Sequence, residues 1–404
     1  MVAHAYNTVP YYRETMDRLG LSPHDFQNVG DLARLPIVER DQLKRDPAYF
    51  LSAETRPIPD FETASSGSTG APRTVWWDAA AIFQNAAHSE RERSIIAKFV
   101  GRFAHYRESV ISTDYASDWK IQRLYRERAL LPSRVLLQHQ YLSLLDSPEK
   151  NVRLLNEFRP DVIRAYGSYL ALLFSYVHAS GVSFHRPKVV FYDACELPEA
   201  ARKLITETFG IHVLSAYQAI EAFKIGFECE QHMGLHLNID LYPLRIVTDD
   251  GLEVPGGENG DVVVSNLVNR ATVLLNYRLG DVAHLLPAPC ACGRTLPLLS
   301  FIQGRTDDWI RLPSGEVIHP QAIRIIFTTE QSIWQYQVVQ VEPDQFCVSI
   351  VGGDDPVGIS ERLKKRFAQR FGADVRVNIS FVERVEPSLG GKVRPVISLM
   401  TAGQ

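Results

Sequence analysis

The sequence lacks a basic surplus. Lysine and arginine number 43 against 47 aspartates and glutamates, a net charge of −4; a protein held to nucleic acid by its field needs the opposite balance. It also lacks a long apolar run: about 18 uninterrupted apolar residues, the signature of a membrane-crossing helix, occur nowhere. The opening stretch MVAHAYNTVPYYRETMDRLG has no basic segment followed by an apolar one, so no secretory leader is expected and the expected compartment is the cytoplasm. Cysteine is scarce and odd in number (Cys195, Cys229, Cys290, Cys292 and Cys347), which does not fit a disulfide framework. The 25 glycines and 23 prolines are dispersed, which excludes collagen-like and low-complexity chains, and no repeat of about 20–50 residues recurs.

What is present is a chain of 404 residues, 45% of them hydrophobic, too long for one small domain. The first 50 residues read as short helices, with Pro36 in the loop before a polar helical stretch at 41–45. A helix is expected over 79–103. Apolar runs then alternate with helical patterns: strands at 110–112, 162–166, 189–192 and 211–217, helices at 168–180, stopped by Gly181, and 198–209, closed by Gly210. That alternation predicts α/β architecture with parallel pairing. From about residue 241, short strands separated by turns predict an antiparallel subdomain. After Gly304 comes a unit of roughly 100 residues, a normal domain size, with strands around 309–318, a helix over 320–329, two strands within 338–353, a helix over 359–371 and a strand over 375–383. The expected fold class is therefore α/β. A large N-terminal domain (1–303) of parallel-type layers with a β subdomain is followed by a hinge (304–308) and a small, mobile C-terminal α+β domain (309–404).

Five segments carry chemistry. The first, Ala64 to Arg73 (ASSGSTGAPR), interleaves small hydroxyl residues with glycine, so that backbone N–H groups and hydroxyls can wrap phosphate oxygens; the alternative is a flexible Ser/Gly loop. The second, Ser215 to Glu221 (SAYQAIE), directly follows a strand, and a carboxylate there can hold Mg²⁺ bridging phosphates; the alternative is a strand-to-helix cap. The third, Asn276 to Asp281 (NYRLGD), sets an aspartate where it can accept two ribose hydroxyls, or it is a turn aspartate. The fourth runs from Gly304 to Ile310 (GRTDDWI) and on to Gln321. The fifth, Gly390 to Arg394 (GGKVR), puts a lysine in a Gly-flanked turn, where a solvated charge is the ordinary reading.

A second chemistry is written in the cysteines. Cys290-x-Cys292, with Cys229 and either His232 or His236, supplies four soft or borderline ligands suited to tetrahedral Zn²⁺. Four protein ligands leave no open position, so such a site is structural. The alternative is reduced thiols without metal.

The five segments, in this order, resemble the adenylate-forming superfamily of acyl-CoA synthetases, adenylation domains and luciferases, whose motifs run S-S-G-[ST]-T-G-x-P, Y-G-x-T-E, Y-R-T-G-D, G-R-x-D-D and a late G-K. Glu196 to Gly210 (ELPEAARKLITETFG), Glu228-Cys229 and Gly280 to Leu296 (GDVAHLLPAPCACGRTL) are similar to the phenylacetate–CoA ligase-like branch. The resemblance covers about residues 25–400. Gln218 and Ile220 stand where the family usually has Gly and Thr, Leu279 replaces a usual Thr, and residues 105–128 differ from the Gly-rich segment expected there.

The resemblance implies an ATP-dependent, AMP-forming carboxylate ligase that makes an acyl-adenylate and passes the acyl group to a nucleophile. It implies that Ser65, Ser66, Gly67, Ser68, Thr69 and Gly70 cradle the phosphates. It implies further that Asp193, Ala194, Cys195, Glu196, Ala216, Tyr217, Gln218 and Asp281 line the nucleotide, Asp281 at the ribose. Glu221 would hold Mg²⁺, Arg305 would contact ribose or phosphate, and Lys392 would bridge the acid and the α-phosphate. Asp307 or Asp308 would be the pivot of the small domain. His236 is favoured over His232 for zinc by the resemblance. Tyr166, Gly167, Tyr169 and Tyr217 are the acid-pocket candidates, pointing to an aromatic acid; His139, Trp119 and Tyr115 are further ones, with core packing the alternative. The partners implied are a small carboxylic acid, ATP and an acyl acceptor (CoA, an amine or a carrier protein), with no nucleic acid, no membrane and a homodimer left open. A catalytically silent nucleotide-binding relative is the rival reading.

Overall fold

The computed structural model describes residues 1–55, 62–64, 73–113, 137–193, 195–305, 309–318, 321–327, 329–330, 332–387 and 393–400. Ser65–Gly70, Tyr115, Trp119, Ala194, Asp307, Asp308 and Lys392 therefore lie outside the described residues, and of Arg305 only the backbone is described. The chain divides into two compact units.

The first unit holds Met1–Lys98 and Ser215–Ile302. Short helices open it, Val2–Thr8 and Pro10–Leu19. Pro10 sits in the first turn of the second, where its missing N–H has no intrahelical acceptor to lose. The expected helix over 79–103 runs from Ala79 to Val100. The strand expected over 211–217 runs from His212 to Ala219 and, in place of the alternative helix cap, folds straight back as Ala222–Glu228, with Ala219 paired to Ala222. Only Ile220 and Glu221 make the turn. Strands Leu235–Leu237, Leu298–Leu299 and Leu285–Leu286 extend this antiparallel meander. A second antiparallel set joins Leu244–Val247, Gly260–Val264 and Tyr277–Ala283, as the turn-rich sequence predicts. Their inner faces close a core around Tyr12, Phe50, Trp77, Tyr242 and Tyr277, all fully buried.

The second unit contains a parallel sheet in the order Leu137–Ser143, Tyr106–Ser112, Val162–Tyr166, Val189–Asp193. Helix Gly167–Ser180 ends at Gly181 as expected. The helix expected over 198–209 is α-helical for Glu199–Lys203 and then widens into a π turn over Leu204–Thr208. Strand Leu137–Ser143 and helix Pro148–Phe158 were not expected, although the helix buries Val152 and Leu155, three apart, on one face. Tyr166 and Asp193 are register partners at the carboxyl ends of adjacent strands, the end where open α/β sheets bind ligands.

The same unit includes the C-terminal residues from Gln303. Ile333–Glu342 and Gln345–Gly352 pair antiparallel; Arg376–Phe381 and Val396–Ser398 flank them in parallel. Helix Pro356–Phe371 is started by Asp355, whose side chain accepts from the Gly358 N–H at 3.0 Å. Ile359, Leu363 and Phe367, spaced by four, bury one face of it. Truncating Phe367 to alanine would cost about 3–5 kcal/mol. Arg324 pairs with Glu196 at 2.6 Å and Gln335 donates to the Ser168 carbonyl at 3.4 Å, so these C-terminal elements contact the segments that follow two strands of the parallel sheet.

Candidate active site and metal centre

Strands Glu62–Ala64 and Thr74–Trp76 pair antiparallel, Ala64 opposite Thr74. The Ser/Gly stretch is thus the connection between two paired strand ends. Those ends are tied to the hairpin that carries Glu221. The Thr63 hydroxyl is shared between the carbonyls of Ile220 (3.2 Å) and Val75 (3.3 Å) and accepts from Trp77 Nε1 at 3.1 Å. Trp77 in turn stacks on Phe223, ring centres 4.1 Å apart and planes 19° from parallel. On the far side of the connection, Arg73 Nε lies 3.5 Å from Glu221 Oε1. Both flanks of residues 65–72 are therefore fixed against Ile220 and Glu221.

Glu221 is buried. A buried carboxylate needs partners, and the neighbouring Tyr277–Ala283 strand supplies one: the Tyr277 hydroxyl donates to Glu221 Oε1 at 2.9 Å. The Glu221 carbonyl accepts from Asn266 Nδ2 at 2.9 Å, which holds the turn itself. Four residues beyond Tyr277, Asp281 accepts at 2.8 Å from the hydroxyl of Tyr217. Gly280, beside Asp281, has a φ of +76°, and a Cβ there would sit 2.7 Å from Arg40 Nη1. Tyr217, Glu221 and Asp281, with the loop's two ends, thus form one cluster, built by neighbouring strands of one unit.

The candidates of the second unit gather at the strand ends. The Cys195 N–H donates to the Asp193 carbonyl at 2.6 Å, turning the chain. Gly167 lets that turn approach, since a Cβ on it would lie 2.5 Å from the Cys195 carbonyl oxygen. Tyr169 belongs to the core; its hydroxyl accepts from Asn151 Nδ2 at 2.6 Å, and burial pushes the phenol up to about 12. His139 sits 3.6 Å from Glu108, which also pairs with Arg164 at 3.3 Å.

The metal-ligand candidates converge. One ligand atom each from Cys229, His236, Cys290 and Cys292 lies within 4.8 Å of every other. Cys229 and Cys290 sulfurs are 3.6 Å apart, and Cys292 Sγ is 3.3 Å from His236 Nε2. Tetrahedral Zn²⁺ with Zn–S near 2.3 Å needs sulfur–sulfur edges of about 3.8 Å, so the donor set fits. Strand pairing explains the convergence: Leu235–Leu237 carries His236 and pairs with Leu298–Leu299 just beyond the Cys-x-Cys turn. Burial raises the Cys229 thiol to about 12, reinforced by Cys290. Burial acts upward on Cys292 too, but the backbone and side chain of Arg294 and the two other thiols outweigh it, leaving its thiol below the ordinary value. Burial lowers the His236 pKa, opposed by the backbone of Leu296. His232 is engaged elsewhere, its Nδ1 2.7 Å from Glu228.

Sequence reasoning missed Thr63, Arg73 and Tyr277 as neighbours of Glu221. Tyr277 stood inside a recognised motif, and Arg73 at the end of one; neither showed which carboxylate it would meet.

Residues 311–399 match the family model of the CapK C-terminal domain. A phenylacetate–coenzyme A ligase of Thermus thermophilus is 25% identical, the match covering 99% of this chain and 94% of that protein. Among solved structures, 2-hydroxyisobutyryl-CoA ligase in the postadenylation state superposes with a TM-score of 0.76 at 17% identity, over 98% of this chain and 86% of that one. Amide bond synthetase McbA from Marinactinospora thermotolerans gives 0.56 at 15% identity, over 84% of this chain and 70% of that one. The chain is thus similar over nearly its whole length to phenylacetate–CoA ligases, and it has the fold of the adenylate-forming CoA ligases. Among the described residues no helix is long and apolar enough to cross a membrane.

Proposed function

We propose that the chain activates an aromatic carboxylic acid with ATP, forming an acyl-adenylate and pyrophosphate, and transfers the acyl group to CoA. The observation that carries this reading is the cluster around Glu221: both ends of the Ser/Gly connection, through Thr63 and Arg73, meet the hairpin turn that bears Glu221, with the Tyr217–Asp281 pair beside it. In this reading Ser65, Ser66, Gly67, Ser68, Thr69 and Gly70 hold phosphate oxygens and Asp281 accepts the ribose hydroxyls. Asp193, Ala194, Cys195, Glu196, Ala216 and Gln218 line the nucleotide, and Tyr166, Gly167 and Tyr217 the acid, Tyr169 being left to the core. Glu221 holds Mg²⁺, which when bound offsets phosphate charge. Lys392, a compact point charge, and Arg305 stabilise the transferring centre. Residues 1–303 form the large domain and 309–404 the small one, pivoting at Asp307 and Asp308. Zn²⁺ at Cys229, His236, Cys290 and Cys292 is structural, since four protein donors leave no position for substrate.

Acid-dependent pyrophosphate exchange, run across a panel that includes phenylacetate and aliphatic acids, tests the first half. No exchange with any acid would leave the silent-relative reading standing. Supplying CoA, amines or a carrier protein to the acyl-adenylate then identifies the acceptor; the likeness to an amide bond synthetase makes the amine the alternative that must be tried.

A further inference from the structure

We infer that Tyr277 is a positioning residue for the metal–nucleotide site, holding Glu221 by one oxygen so that the other is presented to the bound cation. The inference rests on the ligase reading and deepens it. Glu221 occupies one of only two positions in a tight hairpin turn, and a carboxylate there could rotate freely. Two groups converge on Oε1: the Tyr277 hydroxyl at 2.9 Å and Arg73 Nε at 3.5 Å. Among the described residues, both polar contacts of the Glu221 side chain fall on Oε1. The holder is itself rigid. Tyr277 is fully buried in the first unit's core, and its strand is hydrogen-bonded to Gly260–Val264. A buried phenol pointing at a carboxylate from a fixed strand sets the carboxylate's plane, which is what a cation needs of its ligand.

The two motifs are thereby coupled. The strand that carries Asp281 at its ribose-facing position also carries, four residues earlier, the group that orients Glu221. Any shift of that strand moves both at once.

The test is Tyr277→Phe, which keeps the ring and removes the donor. Mn²⁺ binding in the presence of a non-hydrolysable ATP analogue, followed by electron paramagnetic resonance on the full chain, should weaken about 10- to 100-fold, as expected for losing a hydrogen bond to a charged group. The analogue's affinity without metal should be unchanged. In acid-dependent exchange the Mg²⁺ concentration for half-maximal rate should rise by a similar factor. Glu221→Gln supplies the control: Tyr277→Phe added to it should change metal binding less than twofold, whereas a general packing role would weaken both backgrounds equally. A wild-type chain that exchanges, with Tyr277→Phe indistinguishable from it in both metal titrations, overturns this inference and leaves the ligase reading intact. A wild type that neither exchanges nor binds the Mn²⁺–analogue pair overturns both.

Discussion

The Tyr217 hydroxyl donates to Asp281 at 2.8 Å, joining two residues that stand 64 positions apart and belong to different motifs. A tyrosine beside a nucleotide-binding motif is commonly read as a stacking ring. Here its hydroxyl also holds the carboxylate proposed to accept the ribose.

Tyr217→Phe follows from that pair. Removing a hydrogen bond to a charged group costs about 1.5–3 kcal/mol. The loss should appear as a rise in the KM for ATP of about 10-fold or more, with kcat changed less, because Asp281 binds a part of the substrate that does not react. Steady-state exchange at varied ATP separates the two; a fall in kcat at unchanged KM would place Tyr217 at the reacting centre instead.

How far the sequence reached is visible in these residues. Motif order located Tyr217, Glu221 and Asp281, and apolar periodicity located most strands and helices, because a buried strand and an amphipathic helix each leave a regular pattern. Periodicity could not distinguish a strand-to-helix cap from a two-residue hairpin at Ile220-Glu221, since Ala222 to Glu228 reads as an apolar run in either case. Strand Leu137–Ser143, with Gln138, His139, Gln140 and Ser143 among its seven residues, is the outermost strand of its sheet and leaves no apolar run to read. Side-chain partners across the chain, such as Tyr277 with Glu221, are set by strand register, which single-sequence patterns do not encode.

The cysteine cluster makes a separate prediction. Purified protein should carry one zinc per chain, and Cys290→Ser should lower both the metal content and the Tm, because binding to a preformed four-donor site is folding free energy. Metal analysis alongside calorimetry checks it. Zinc well below one per chain in freshly purified wild type would remove the site. Activity lost on chelation while the Tm stayed unchanged would contradict a structural role.

The C-terminal region has its own pH dependence. Glu330 is buried against Arg362, which donates Nη2–H to Oε2 at 3.0 Å, and Arg366, 2.9 Å from Oε1. The Arg362 hydrogen bonds, opposed by burial, hold its carboxyl below the ordinary value of 4.5. A depressed folded-state pKa contributes stability that is complete above 4.5 and is lost as pH falls through the folded value. Wild type should therefore exceed Glu330→Gln in urea midpoint at neutral pH, and the gap should narrow below about pH 4. A gap that stayed constant into acid would mean the Glu330 charge contributes nothing.

Lys392→Ala tests the proposed chemistry most directly. Loss of a charge that stabilises the transferring centre typically costs about 10²–10³ in rate. Acid-dependent pyrophosphate release should fall by at least that factor while ATP still binds, measured by calorimetric titration. Near-normal release in the variant would withdraw the assignment of Lys392.

The proposed pivot separates the two half-reactions. The glycine–arginine pair Gly304–Arg305 forms a short strand, and a rotation of the small domain must be absorbed by a few residues just beyond it. Proline fixes φ near −65° and removes a backbone donor, so Asp307→Pro should resist any change of backbone conformation there. If Lys392 serves adenylation and must then withdraw for acyl transfer, the substitution should slow transfer more than adenylation. Single-turnover formation of acyl-adenylate and its later consumption by the acceptor give the two rates separately. Equal slowing of both would point to a general disturbance of the segment, and slowing of adenylation alone would mean that the small domain pivots elsewhere.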